Sequence, residues 1–133
     1  MTTITGLHHV AIRSLDFDRT LRFYTETLGL KRKAAWITNG RRATLLEFAP
    51  ATYLEIFERS KEEFSGEPPI LHFCVRTDDV DALFARVKTD GWETKVDPKT
   101  VPVETDIGLM TLRLAFVAGP DGEIIELMQS DIV

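Results

Sequence analysis

The chain has 133 residues, 44% hydrophobic and 28% charged, the size and balance of one domain (residues 1–133) with an ordinary core and little room for a second. Sixteen Lys and Arg against 21 Asp and Glu give a net charge of −5 with no basic run, which argues against a nucleic-acid surface. No apolar stretch reaches the ~18 residues of a membrane span and no basic-then-apolar leader opens the sequence, so a cytoplasmic protein is expected.

The first element is a strand, "LHHVAIRS" (Leu7 to Ser14), whose β-branched and apolar residues alternate. A helix follows in "LDFDRTLRFYTETLGL": Phe17, Leu21, Tyr24 and Leu28 recur at helical steps, Asp16 or Asp18 can cap its start, and Gly29 suits its end. Strands are expected near Lys31 to Thr38, Arg42 to Phe48 and Tyr53 to Glu58, divided by turn signals at "NG" and "AP". The charged, Gly- and Pro-containing "RSKEEFSGEPPI" reads as a solvated linker.

Beyond it the order restarts. "LHFCVRT" is a strand and "DDVDALFARVKTDGW" a helix, with Val80, Leu83, Phe84 and Val87 on one face and Gly91 at its end. Strands near Glu93 to Val96, Met110 to Val117 and Glu123 to Gln129 complete the set, the last two joined by the turn "GPDG". The segment "DPKTVPVETDIGLM" between them reads as a long loop, a cover for a binding site or a surface connection. Two β-α-β-β-β modules result, at about 5–59 and about 70–130, with a linker at about 60–69. A shift of 63 residues lays His9 on His72, Arg13 on Arg76, Asp16 on Asp79 and Asp18 on Asp81, so His9 and not His8 is the repeated histidine.

Strand alternation sorts the side chains into two faces. One carries Val10, Ile12, Leu54, Ile56, Phe73, Val75, Ile125 and Leu127 and is expected to pack under the helices. The other carries His9, Ala11 and Arg13; Tyr53, Glu55 and Phe57; His72, Cys74 and Arg76; and Ile124, Glu126 and Met128. Each of these four strands thus presents one metal-competent residue. Cys74 is the one cysteine and permits neither an intrachain disulfide nor a thiolate zinc site, so a metal must be held by His and carboxylates. Two buried carboxylates on one face repel each other and lose hydration unless a cation neutralises them. Two imidazoles and two carboxylates supply N and O ligands and balance a divalent first-row ion, which makes His9, Glu55, His72 and Glu126 the expected metal site.

With its paired modules and the stretches "HHVAI", "RFYTETLGL", "YLEIF", "LHFCV" and "PDGEIIEL", the chain from Leu7 to Met128 resembles the vicinal oxygen chelate superfamily, which includes glyoxalase I, methylmalonyl-CoA epimerase, fosfomycin-resistance transferases, extradiol dioxygenases and bleomycin-resistance proteins. The resemblance implies an α+β fold in which the two modules form an eight-stranded, incompletely closed barrel around a metal cup. The His, Glu, His, Glu set at His9, Glu55, His72 and Glu126 matches bacterial glyoxalase I, whereas an epimerase of the methylmalonyl type typically has Gln at the Glu55 position and a fosfomycin-type site has His. It implies a lyase that isomerises the hemithioacetal of methylglyoxal and a thiol to a lactoyl thioester through a metal-bound enediolate. One divalent ion is implied, commonly Ni²⁺ or Zn²⁺, with Co²⁺, Mn²⁺ or Fe²⁺ as further choices, together with a homodimer and a small-molecule substrate.

In that scheme Glu126 is the expected base, with Glu55 as the alternative. Arg13, Arg76, Phe57 and Met128 on the same face are the expected substrate contacts; Arg13 stands ~13 Å along the strand from His9, at the place where a glyoxalase arginine grips glutathione. Two residues depart from the glyoxalase pattern: Arg59 stands where Asn is usual, and Gly119 where Asp precedes "PDG". The first departure bears on the thiol part of the substrate. An acyl-CoA epimerase, a fosfomycin- or bleomycin-type resistance or drug-binding protein, and a ring-cleaving dioxygenase are the alternative functions.

Overall fold

Asn39 and Gly40 both take positive φ, 50° and 72°, the pair of left-handed residues that a tight hairpin turn requires. They join β2 (Lys31–Thr38) to β3 (Arg41–Ala49), and a second turn through Ala51 leads into β4 (Thr52–Glu58). In the computed structural model, which describes residues 2–27, 29–68, 70–119, 122 and 124–133, these follow β1 (Ile4–Ser14) and α1 (Phe17–Arg22). A five-residue helix, α2 (Lys61–Ser65), precedes β5 (Ile70–Thr77), α3 (Val80–Thr89), β6 (Thr94–Thr105), β7 (Gly108–Ala118) and β8 (Ile124–Ser130). The expected duplication of β-α-β-β-β modules, α+β in class, is the architecture observed.

The chain forms two contact units. The first comprises His9–Leu71 with Glu104–Gly108, and its strands lie in the order β2-β3-β4-β1. β1 and β4 run parallel with Ala11 opposite Glu55 and Ile12 opposite Ile56, while β3 pairs antiparallel with β2 and β4. Phe17, Leu46, Leu54 and Ile56 form its core with Ile12, Leu21, Tyr24 and Leu30 packed against them. Fully burying such a side chain stabilises by roughly 1.5–3 kcal/mol. Asp16 rather than Asp18 caps α1, accepting the Arg19 N–H at 3.1 Å, and Asp18 instead receives Arg42 at 2.9 Å.

The first helix departs from the regular one expected. It is α-helical for six residues and continues as a π-helical turn, Phe23–Thr27. The Thr25 hydroxyl donates to the Leu21 carbonyl at 2.7 Å, a side-chain bond of the kind that disturbs a helical ladder. Gly29 at φ 79° ends the element. Leu28, expected on the apolar face, lies outside the described residues.

The second unit comprises the chain up to His8, His72–Val103 and Leu109–Val133, with strands in the order β5-β8-β7-β6. β5 and β8 are parallel, Cys74 opposite Glu126 and Val75 opposite Leu127. Val80, Leu83 and Phe84 of α3 pack on Ala115, Val117 and Leu127. Asp79 caps α3 by accepting the Ala82 N–H at 3.0 Å, and Gln129 ties the helix start to β8 by accepting the Val80 N–H at 2.7 Å and donating to the Asp78 carbonyl at 2.8 Å.

The segment expected as a long loop is instead strand. β6 runs twelve residues to Thr105 and turns at Asp106 and Ile107 into β7. Pro98 and Pro102 are an even number of residues apart, so both positions lacking an N–H face one side of β6, the last strand in its sheet's order, where prolines are tolerated. The linker also holds more order than expected. Ser60 and Glu63 cap α2 reciprocally, Ser60 N–H to Glu63 Oε1 at 2.8 Å and Glu63 N–H to Ser60 Oγ at 3.2 Å. Of the turn "GPDG", Pro120 and Asp121 lie outside the described residues, as does Glu123; the Gly122 N–H donates to the Gly119 carbonyl at 3.0 Å.

Candidate metal centre

In the first unit, the parallel register of β1 and β4 puts Ala11 and Glu55 side by side, and alternation turns His9, Ala11 and Glu55 to one face while Ile12 and Ile56 turn to the core beneath α1. His9, two residues before Ala11, reaches diagonally to the carboxylate: its Nε2 lies 3.1 Å from Glu55 Oε1. The second unit repeats this. Cys74 stands opposite Glu126, His72 precedes Cys74 by two, and His72 Nε2 lies 2.9 Å from Glu126 Oε2. His8 is buried and lies outside this repeat, Leu71 standing at the matching position.

Phe116 is a residue that sequence reasoning missed. It pairs with Glu126 across β7 and β8, and its ring meets His72 edge to face at 5.4 Å, limiting how the imidazole can turn. Strand alternation would have found it, since Leu114 and Phe116 share the face of Met128 and Glu126.

The donor set passes the test of fit to a divalent ion. Ligand bonds of ~2.1 Å at right angles put neighbouring donor atoms ~3 Å apart, which is the separation within each His–Glu pair. Imidazole nitrogens and carboxylate oxygens suit first-row ions, and two carboxylates offset a charge of +2. His9 and Glu126 are buried and Glu55 and His72 nearly so, the setting in which an unneutralised carboxylate is costly.

The expected substrate contacts lie on the same faces. Arg13 stands opposite Phe57, and its Nε donates to the carbonyls of Glu67 and Pro68, both at 3.0 Å. Phe57 meets Trp36 edge to face at 6.4 Å and carries the Arg59 guanidinium 5.2 Å above its ring. Met128 is buried and stands opposite Arg76. Arg76 passes close over Gly6, where a Cβ would lie 3.3 Å from its Nη1. Cys74 is a fully buried thiol directly opposite Glu126.

Residues 6–127 match the model of the Glyoxalase/Bleomycin resistance protein/Dioxygenase superfamily. The chain is 28% identical to the uncharacterized protein YwbC of Bacillus subtilis, over 92% of this chain and 96% of that protein. It is 31% identical to a lactoylglutathione lyase of Arabidopsis thaliana over 91% of its own length, and spans 43% of that lyase. Among solved structures, a variant of Streptomyces coelicolor methylmalonyl-CoA epimerase in complex with 2-nitronate-propionyl-CoA superposes with a TM-score of 0.76 at 25% identity, covering 98% of each chain.

Proposed function

Because the chain belongs to the Glyoxalase/Bleomycin resistance protein/Dioxygenase superfamily, we propose that it is a divalent-metal-dependent lyase of the glyoxalase I type, moving a proton between adjacent carbons of a thiol conjugate. The observation that carries this reading is the duplicated His–Glu pair, set by the same strand register twice and closed at 3.1 and 2.9 Å. His9, Glu55, His72 and Glu126 would together hold one ion, Ni²⁺ or Zn²⁺ by the donor set and the family resemblance. When bound, such an ion supplies Lewis-acid stabilisation of the negative charge that grows on substrate oxygen as a neighbouring C–H bond breaks.

The chain's own residues do the rest. Glu126 takes the proton from the hydroxyl-bearing carbon of the hemithioacetal and returns it to the adjacent carbon. The hydroxyl proton passes from the first oxygen to the second, so the first carbon is oxidised to a thioester carbonyl and the second reduced to an alcohol, with no outside redox partner. Glu126 suits this task because it is buried and faces Phe116, which keeps bulk water from the carried proton. His72, packed against Phe116, holds the Glu126 carboxylate in place. Glu55 performs the same service beside His9 and is the second carboxylate available as base.

Epimerisation of an acyl-CoA is the second reading, favoured by the structural likeness to methylmalonyl-CoA epimerase. It uses the same proton abstraction but returns the proton to the same carbon. Glu55, where the epimerase pattern has Gln, weighs toward the lyase.

Titration of Ni²⁺ and Zn²⁺ into metal-stripped protein, alongside Glu126→Ala, tests the site. One ion per chain, bound at least about tenfold more weakly by the variant, is the expected result, and no binding to the wild type would remove the site. Turnover of the methylglyoxal–glutathione hemithioacetal by the loaded protein then tests the reaction. Its absence, with α-proton exchange of a racemic acyl-CoA in deuterated water, would replace the lyase by the epimerase.

A further inference from the structure

Within the first unit, the end of β1 and the first helix enclose an open cavity of ≈ 510 Å³ that the metal reading does not use. Ile12 and Tyr24 lie at the edge of the core under α1, so the cavity backs onto the face of β1 opposite His9 and Ala11. Its outer walls are Leu15 and Phe23, large apolar side chains left 52% and 50% exposed.

Two features set this cavity apart from an incidental surface depression. The first is the π turn, which begins at Phe23 and places Phe23 and Tyr24 edge to face with ring centres 5.1 Å apart. Single π turns interrupt regular helix bonding and recur at functional sites. The second is Arg19. The Phe23 N–H donates to the Arg19 carbonyl, so the two side chains stand one helical turn apart on one face. The Arg19 guanidinium has no hydrogen-bond or ion-pair partner among the described residues. By contrast, Arg42 pairs with Asp18 at 2.9 Å and Glu58 at 2.8 Å, and Arg13 gives its Nε to the linker carbonyls. The helix start offers no competing anchor, because Asp16 already accepts the Arg19 N–H.

We propose that this cavity binds a small aromatic monocarboxylate, a ligand distinct from the substrate, with Arg19 taking the carboxylate and Phe23 and Leu15 holding the ring. The planar fork of an arginine matches a carboxylate, and an aromatic ring packs edge to face on another. Arg13 and Arg19 against Asp16 leave one positive charge in the lining, which one negative charge balances. A phosphate dianion exceeds that balance and faces the Asp16 carboxylate. The volume falls in the ~300–1,000 Å³ range of small-ligand sites. None of the four His and Glu residues of the metal reading takes part, so the proposal stands apart from the proposed reaction.

The test is a titration of phenylacetate, its neutral analogue phenylacetamide, and phenyl phosphate into the whole nitrogen-15-labelled chain, followed by amide chemical shifts. Phenylacetate should give saturable shifts centred on residues 12–15 and 19–24. Phenylacetamide should bind at least about tenfold more weakly, and Arg19→Gln should weaken phenylacetate by about tenfold and remove its advantage over the amide. Phe23→Ala should weaken all three probes. Should Phe23→Ala disturb the fold by circular dichroism, Phe23→Leu, which keeps apolar bulk and loses the ring, should weaken binding in the same direction. Shifts that do not saturate, equal affinity for phenylacetamide, tighter binding of phenyl phosphate, or an Arg19→Gln variant of unchanged affinity would overturn the site. Shifts confined to the surroundings of Glu55, His72 and Glu126 would overturn it too, by placing the carboxylate at the metal centre instead.

Discussion

In the first module the histidine is the sheltered partner, His9 at 2% exposed beside Glu55 at 12%; in the second it is the glutamate, Glu126 at 7% beside His72 at 12%. The strand register behind both pairs is the same, histidine two residues ahead of the position opposite the glutamate. What surrounds them differs. The first module has a short helix running into a π turn and a charged cavity next to its ligand strand, whereas the second has a regular ten-residue helix and a phenylalanine against its histidine. Ligand geometry thus follows from sheet pairing, which a duplication preserves, and the surroundings follow from helices, turns and linkers, which can diverge without moving the ligands.

The strongest way to break this comparison is to remove ligands one module at a time. On the proposed function, His9→Ala and His72→Ala, or Glu55→Ala and Glu126→Ala, should each lower kcat/KM of the metal-loaded protein by about 10³-fold. A loss below about tenfold in one module would show that only the other pair is functional. Next come the cores. Ile56 and Leu127 occupy matching positions beneath α1 and α3, and truncating either to alanine should cost ~2–5 kcal/mol in urea denaturation. A difference above ~2 kcal/mol between them would make the modules unequal in packing as well as in surroundings.

The caps should give a smaller effect. Asp79→Ala should cost about 1 kcal/mol and Asp16→Ala less, because Asp16 caps only six α-helical residues before the π turn. Smallest is the acid response of the linker. The Glu63 carboxyl is lowered from an ordinary 4.5 to about 2 by Ser60 and then Arg41. Its contribution to stability is therefore present above pH 4.5 and lost as pH falls toward 2. Thermal midpoints of wild type and Glu63→Gln, measured from pH 5 to pH 2, should converge at the acid end and separate above it.

Much of this was legible in the sequence because it depends on short periods. Strand alternation separated His9, Glu55, His72 and Glu126 from Ile12, Ile56, Val75 and Leu127, and the observed cores lie under the helices as that sorting requires. Asp16, one of the two caps expected for α1, acts as one, and Asp79, which the 63-residue shift lays on Asp16, caps α3 in the same way. What escaped depends on partners far along the chain or on signals that compete locally. Phe116 acquires its role only once β7 is registered against β8. Pro98 and Pro102 read as loop residues until β6 is known to be the last strand of its sheet. The capping box of Ser60 and Glu63 was present in the sequence, but it opens a helix of only five residues, too short for periodicity to reveal. Arg13 was read as a substrate grip, and its bonds to the linker could not be foreseen before the linker's path was known.

The parallel pairing of the first and last strand of each module has a consequence for how the protein is made. His9 leaves the ribosome long before Glu55, and His72 long before Glu126, and neither histidine meets its carboxylate until the closing strand has crossed back to lie beside the opening one. These are the long-range closures that fold slowly. An ion held by both kinds of residue would therefore act as proofreader of chain completion, gripping only modules whose last strand has docked and leaving a chain cut short before β8 with an orphaned histidine.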